Sequence, residues 1–181
     1  MNKLIGQVRD EHKDIAQILA VIESELDALA SGGEGDYTLL SDAMRYMTQY
    51  PDLFHHVNED LIYRRLLERD RKARSLVNGL TEEHEYLRRL GLSFLEIVED
   101  AADEVLVGRD ELDSRGRAYL TAERAHMRRE EDEVLPWVQR ALTEDDWKEV
   151  EQDLRKRRMP RLSESAPERF RTLRSYIGSR D

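Results

Sequence analysis

Two adjacent histidines, each followed four residues later by an acid, are the part of this chain best suited to chemistry. The stretch FHHVNED, residues 54–60, pairs His55 with Glu59 and His56 with Asp60. Residues four apart share one face of an α-helix, so each pair can present an imidazole and a carboxylate to one site. Imidazole and carboxylate together suit iron, manganese or zinc.

Helical geometry predicts which of these two pairs faces the core. A helix turns about 100° per residue, so adjacent residues point in different directions. His55 shares its face with apolar residues, whereas the angular neighbours of His56 are mainly polar. We therefore expect His55 and Glu59 to point inward, and His56 and Asp60 to point sideways or outward. Replacing His55 by alanine should then release metal, and replacing His56 should largely retain it.

The remaining histidines extend this pattern into an internal repeat. His12 precedes His55 by 43 residues, and His84 precedes His126 by 42. Glu130 follows His126 at the same spacing of four, and all four histidines lie on apolar helical faces. Because a buried carboxylate is costly unless it is paired or bound to metal, the matched halves predict a two-metal site on the bundle axis. The predicted ligands are His12, His55, Glu59, His84, His126 and Glu130.

Long helices must position these residues, and the composition favours helix. Charged residues make up 38% of the chain, and it contains only 4 prolines. We expect Pro51 to cause a kink or a short break, and Gly79 to separate a short first part of the third helix. Apolar residues recur with helical period over about 3–29, 37–69, 71–107 and 112–141.

The predicted fold is all-α, with residues 1–142 forming an antiparallel up-down-up-down four-helix bundle. Residues 143–181 are expected to form a C-terminal helical extension, packed on the bundle or at an oligomer contact. Its helices are predicted at about 144–157 and 167–177.

Composition also excludes several classes of function. The net charge of −10, without a basic stripe, argues against binding to nucleic acid or to an anionic membrane. The absence of cysteine excludes disulfides and thiolate metal sites. No signal-like segment and no apolar run of 18 residues occurs, so we expect a cytoplasmic protein.

Four motifs resemble the hemerythrin family in its bacterial HHE cation-binding form. They are EHKDI, YPDLFHHVNEDLIY, EEHEYL and HMRREEDEVLPW, and together they span about residues 3–140. The resemblance implies a four-helix bundle that holds a non-heme di-iron centre, with two iron ions joined by an oxo or hydroxo bridge. It also implies that the four inward histidines are imidazole ligands and that Glu59 and Glu130 are bridging carboxylates.

Two positions depart from the pattern of the oxygen-carrying hemerythrins. Those proteins have a further histidine one turn after the histidine of the third helix, where this chain has Arg88. A site with five histidines is therefore not expected. Their fourth-helix carboxylate lies five residues after its histidine, which here is Glu131. The helical face favours Glu130, and Glu131 is the alternative.

Other polar residues are open to two interpretations. Glu11 and Glu83 either orient imidazoles or are solvated, and Glu123 is a candidate for orienting an imidazole N–H. Tyrosines near the site could donate to a bound ligand but are more often packing residues, and Tyr119 is the best placed of them. The tyrosines in question are Tyr46, Tyr50, Tyr63 and Tyr119.

The expected function is that of a di-iron protein that binds O2 or a related small ligand, such as peroxide or nitric oxide, for sensing, carriage or detoxification. Four histidines leave more room for exogenous ligands than five, which favours peroxide or nitric oxide chemistry over oxygen storage. One alternative is a di-iron oxidase, a peroxidase-like enzyme or an iron-handling stress protein. Another is a metal-dependent sensory module whose C-terminal extension contacts a partner or a second copy of the chain.

Overall fold

α-Helices make up the part of the chain that this computed structural model describes, which covers residues 2–51, 55–156 and 173. No β-strand occurs within those ranges. A 3-10 turn (Arg71–Ala73) and a π-helical segment (Glu130–Val134) interrupt the helical order. The helices are α1 (Lys3–Ala30), α2 (Tyr37–Tyr50), α3 (His56–Arg69), α4 (Arg74–Ala102), α5 (Arg109–Arg129), α6 (Leu135–Ala141) and α7 (Glu144–Lys156).

Four of these helices close a ring. α1 contacts α2 and α5, and α4 contacts the same two helices from the other side. α3 follows α2 beyond Pro51 and contacts α4, α6 and α7. The predicted all-α bundle with additional helices is confirmed, and α7 packs outside the ring against α3.

Local sequence signals explain where the helices begin and end. The side chains of Asn2 and Asp36 accept hydrogen bonds from the first turns of α1 and α2, which caps both helices. α2 ends at Tyr50, immediately before Pro51, so the predicted interruption is confirmed. The predicted separation at Gly79 is wrong, because α4 runs through this residue without a break.

A polar layer separates two apolar clusters along the bundle. On α1, Val8 belongs to the cluster that also contains α6 and α7, whereas Ile15 belongs to the cluster formed with α2. His12 lies between them. On α4, Leu80 packs in the first cluster, and His84 follows one turn later. Helical periodicity thus carries His12 of α1 and His84 of α4 into the same layer.

None of the described helices is long and apolar enough to cross a membrane. The helix predicted at 167–177 lies outside the described residues except for Leu173. That residue is helical and buried, and it packs in the cluster that contains Ile15.

Candidate metal centre

Buried histidines and carboxylates form the polar layer between the two apolar clusters. Glu59 and Glu130 have no exposed surface, although neither carboxylate contacts a lysine or arginine among the ion pairs of the described residues. The layer brings together all six residues that the sequence singled out, and it adds His56.

The nitrogen and oxygen atoms of this layer fall into two groups. We call one the His12 group; it consists of His12, His55, Glu59 and Glu130. We call the other the His84 group; it consists of His56, Glu59, His84 and His126. Within each group the candidate ligand atoms lie within 4.8 Å of one another. Glu59 belongs to both, so the arrangement could hold two cations joined by one shared carboxylate.

The two oxygens of the Glu59 carboxylate lie near different groups. Its Oε1 lies 3.4 Å from His12 Nε2 and 3.3 Å from His55 Nε2. Its Oε2 lies 3.7 Å from His84 Nε2. The two oxygens of Glu59 therefore face different groups, as a bridging carboxylate requires.

The prediction that His56 points away from the core is wrong. His56 is only 6% exposed, and its ring stacks on His84 with centroids 4.0 Å apart. That prediction assumed a regular α-helix in which only one face points to the core. His55 instead lies in a π-helical turn before α3, and the layer is wide enough for two positions. His55 consequently serves the His12 group, and its neighbour serves the His84 group.

The expectation that five histidines could not converge is also wrong. Arg88 does occupy the place of the missing third-helix histidine, and its guanidinium binds Glu85 at 2.8 Å and 3.0 Å on the surface. His56 supplies the fifth imidazole from α3 instead. The five imidazoles divide as three in the His84 group and two in the His12 group.

Carboxylates outside the groups hold the imidazoles of the first half of the repeat. Glu11 Oε2 lies 2.8 Å from His55 Nδ1. Glu131 Oε1 lies 2.9 Å from His12 Nδ1, and its other oxygen accepts a hydrogen bond from Arg9. A carboxylate at Nδ1 favours the tautomer with its proton there, which leaves the Nε2 lone pair free for a cation.

The second half of the repeat has matching contacts. Glu83 Oε2 lies 3.0 Å from His126 Nδ1, and its other oxygen pairs with Arg129. Asp60 Oδ1 lies 3.7 Å from His84 Nδ1, which is ion-pair range. Glu11 and Glu83, each directly before the first histidine of its half, thus orient the second histidine of the same half. Asp60 and Glu131, each directly after a fully buried carboxylate, orient the first histidine of the other half.

Glu130 and Glu131 are the first two residues of the π-helical segment, and they contact different nitrogens of His12. Glu130 faces the bundle axis, where its Oε2 lies 3.2 Å from His12 Nε2. Glu131 is partly exposed and contacts the outer nitrogen of the same imidazole. The structure therefore places Glu130 among the candidate ligands. Glu131, the alternative, contacts the candidate ligand His12 from the outside.

Electrostatics in the layer favour positive charge near the carboxylates. Burial lowers the pKa of His12, but the nearby carboxylates of Glu130 and Glu59 outweigh it and raise that pKa to about 11. Burial likewise lowers the pKa of His126, but nearby carboxylates, with Glu130 first among them, outweigh it and raise that pKa to about 9. His56 behaves differently, because burial and then neighbouring imidazoles hold its pKa well below the usual range. Its neutral ring is in the form that binds metal.

Unpartnered polar atoms provide a test of whether a metal pair fits. Buried polar atoms normally have hydrogen-bond partners. Within the described residues, seven such atoms of this layer have none, and they converge on the two groups. They are Nε2 of His12, His56, His84 and His126, both oxygens of Glu59, and Oε2 of Glu130. Five imidazoles and two carboxylates are donors that iron accepts, so a metal pair fits these residues.

Comparison with known families agrees with this geometry. The hemerythrin HHE cation binding domain matches residues 3–138, which is most of the chain. The chain belongs to the hemerythrin HHE family. No curated protein matches it significantly. In this hemerythrin-like domain, the matched region ends in α6, so α7 lies outside it.

Two contacts of this hemerythrin site do not follow from helical periodicity. The polar neighbours of His56 indicate an outward position, and only its place beside His55 indicates a ligand. The hydroxyl of Tyr63 donates a hydrogen bond of 2.7 Å to Glu130 Oε1, although Tyr119 was the tyrosine considered best placed. The ring of Tyr119 instead packs beside Gly91.

Proposed function

We propose that this protein is a non-heme di-iron protein that binds O2 or a related small ligand, such as peroxide or nitric oxide. The observation that carries the proposal is the convergence of seven unpartnered buried atoms on two groups that share Glu59. Membership of the hemerythrin HHE family supports iron as the metal. Two iron ions held there would supply electrons to a small oxidising ligand and bind it.

The residues of the chain have distinct tasks in this proposal. The five imidazoles and two carboxylates would hold the metals, and each group offers four protein ligands. Iron readily takes further ligands beyond four, so both positions can accept one from solution. The acids at the Nδ1 atoms fix the direction of the rings, and the apolar clusters on both sides of the layer exclude water.

A surface groove lies beside the His12 group. The groove, of about 530 Å³, runs between α1 and α5, and His12 forms part of its wall. Ala16 and Met127 contribute small or apolar surface there, and Arg9 and Glu131 stand beside them. The group with two imidazoles therefore borders this groove through His12.

The convergence of five imidazoles removes a preference between ligands. The preference for peroxide or nitric oxide over O2 rested on a four-histidine set, and His56 removes that ground. Binding of O2 and binding of peroxide or nitric oxide are therefore equal forms of the proposal. The enzyme alternative differs from it in whether the ligand is consumed.

Metal content and optical spectra test the proposal directly. Freshly purified protein should contain about two irons per chain and show the absorption of a bridged diferric centre. Zinc alone, or no metal, would contradict it. After anaerobic reduction, a spectral change that O2 causes and that evacuation reverses supports carriage or sensing. Rapid irreversible oxidation with turnover of added peroxide supports the enzyme instead.

A further inference from the structure

The groove beside the His12 group carries more positive than negative side chains. Its walls contribute four lysine or arginine side chains and one carboxylate, on a chain whose net charge is −10. The cations are Arg9, Lys13, Arg124 and Arg128, and the carboxylate is Glu131. Because association depends on local charge as well as on net charge, this surface can attract an anion that the chain as a whole repels.

Ion pairs leave part of this positive charge open to a partner. Lys13 pairs with Asp10 at 2.7 Å, but both side chains are 74% exposed. Arg124 pairs with Glu23 at 2.7 Å, and these side chains are 40% and 38% exposed. Arg128 is exposed and makes no hydrogen bond or ion pair with another described residue. Since exposed ion pairs are weak, the carboxylates of an incoming molecule can exchange with Asp10 and Glu23.

Apolar side chains also line the groove. Ala16 of α1 and Met127 of α5 add apolar surface beside the cations. Apolar surface with charged neighbours is typical of protein interfaces, and a methionine adapts well to the shape of a partner. The size of the groove, about 530 Å³, and this composition fit a protein surface better than a single inorganic anion.

His12 connects this groove to the metal centre. Its ring forms part of the groove wall, and its unpartnered Nε2 faces the other members of the His12 group. Its Nδ1 lies 2.9 Å from Glu131 Oε1, and Glu131 Oε2 accepts a hydrogen bond of 2.9 Å from Arg9. A molecule in the groove is therefore separated from the metal position by one imidazole. Electron transfer slows steeply with distance, so this imidazole is a short path for an electron.

We propose that this groove is the docking site of an acidic one-electron carrier protein that reduces the metal centre. Carboxylates of the carrier would face Lys13, Arg124 and Arg128, and the electron would pass through His12. Two reduced carriers, docking in turn, each give up one electron. Two ferric ions thereby become two ferrous ions, and both carriers leave oxidised. The inference rests on the proposed di-iron function and names the class of reductant that would restore its reduced state.

NMR of the zinc-loaded full chain maps the docking site without a redox reaction. Hexacyanochromate(III) is a redox-inert, paramagnetic, trivalent anion, and it broadens the amide resonances of the residues that it approaches. We expect this broadening to be concentrated at the groove, around Ala16 and Met127. The trivalent cation tris(ethylenediamine)chromium(III) should broaden other surfaces instead. Broadening by the anion that is centred elsewhere, or spread evenly over the surface, would overturn the proposal.

Oxidation of the diferrous protein by hexacyanoferrate(III) tests the same path in the reverse direction. Each anion takes one electron, so two anions oxidise both ions. The net charge of −10 repels the anion, and this repulsion alone predicts a rate that rises with added salt. Attraction at the groove predicts a rate that falls with added salt, which is the result we expect. A rising rate would count against docking at the groove.

A double variant, Lys13→Gln with Arg128→Gln, removes two cations from the groove and keeps every candidate ligand. We expect weaker broadening by the anion at the groove and a several-fold slower oxidation at low salt. The matched control is Arg89→Gln with Lys148→Gln, which removes the same charge from exposed positions on α4 and α7. Neither of these helices lines the groove. Equal changes in the two double variants would show an effect of net charge alone and refute the docking site.

Metal content separates this inference from the proposed function. If the purified protein does not hold a pair of iron ions, the di-iron function fails and the inference falls with it. If it holds the pair, but the anion does not broaden the groove, the function stands and the docking site fails. If circular dichroism shows that the double variant is unfolded, the wild-type broadening and salt dependence decide the question.

Discussion

Glu11 Oε2 lies 2.8 Å from His55 Nδ1, and both side chains are buried between α1 and the start of α3. The contact joins residues 44 positions apart in sequence. It fixes the outer nitrogen of one imidazole so that the inner nitrogen faces the His12 group. An acid that the sequence left undecided between surface and site is therefore part of what orients a metal ligand.

Replacing Glu11 by glutamine should weaken metal binding while the fold persists. The amide keeps the size of the side chain but loses the charge that favours the Nδ1–H tautomer of His55. Loss of such a partner lowers metal affinity by about 10–100-fold. Competition with a chelator, followed by metal analysis, measures the change. Glu85→Gln is the control, since Glu85 is exposed and pairs with Arg88; equal losses in both variants would contradict the assigned role.

Separate replacement of the two adjacent histidines should remove different metal ions. His56→Ala takes one imidazole from the His84 group, and His55→Ala takes one from the His12 group. We expect each variant to fall from about two irons per chain toward one. Because the His12 group does not contain His56 and keeps all of its candidate ligands, cobalt(II) spectra of His56→Ala should lose only the signal of the His84 group. Full metal content in His56→Ala would restore the original expectation that this residue is not a ligand.

Periodicity was enough to predict the bundle, because apolar spacing of 3.6 residues decides which face of a helix is buried. The same periodicity placed six candidate ligands in one layer, and the structure brings them together. It failed at His56 because angles were measured on an ideal α-helix. The π-helical turn at His55 and the width of a two-metal layer both depend on packing between helices, which one helix's pattern does not contain.

The side chains that hydrogen-bond to the candidate ligands could not be predicted from the sequence for the same reason. Glu11 and Glu83 precede their histidines by one residue, yet each orients a histidine on another helix. Tyr63 donates to a carboxylate 67 positions away. Such contacts depend on how far neighbouring helices are shifted along their axes. The sequence indicates only that an acid precedes the first histidine in both halves of the repeat.

Replacing Gly116 by alanine should destabilise the bundle. A Cβ at this position would lie 2.6 Å from Leu26 Cδ1 and 2.8 Å from Phe94 Cζ, so these buried side chains or α5 itself would have to shift. Overpacking of a core costs about 1–3 kcal/mol, and the better helix propensity of alanine recovers about 1 kcal/mol of it. Chemical denaturation should show a net loss. Ser114→Ala, at an exposed position of the same helix, should change stability little.

Asp146 attaches α7 to α3, and its removal should loosen that attachment. The carboxylate has no exposed surface, and Arg65 and Arg69 each donate to it at 2.7 Å. Thr143, immediately before α7, donates its N–H at 2.8 Å and its hydroxyl at 2.7 Å to the same carboxylate. Breaking a buried ion pair costs about 3–5 kcal/mol, and partial exposure of the arginines places Asp146→Asn near the lower end. Chemical denaturation at neutral pH measures this loss, and exposed Asp145→Asn is the control.

Acid should remove the contribution of Asp146 in a defined direction. Burial alone would raise the pKa of this carboxyl, but hydrogen bonds from Thr143 and Arg69, followed by Arg65, hold it well below its usual range. The unfolded chain then binds a proton near the ordinary aspartate pKa of about 3.9, before the folded chain does. The stabilisation is therefore complete above that range and falls as pH drops below it. The stability difference between wild type and Asp146→Asn should be constant from about pH 6 to 8 and shrink below about pH 4; a difference that grows in acid would refute the assigned ion pairs.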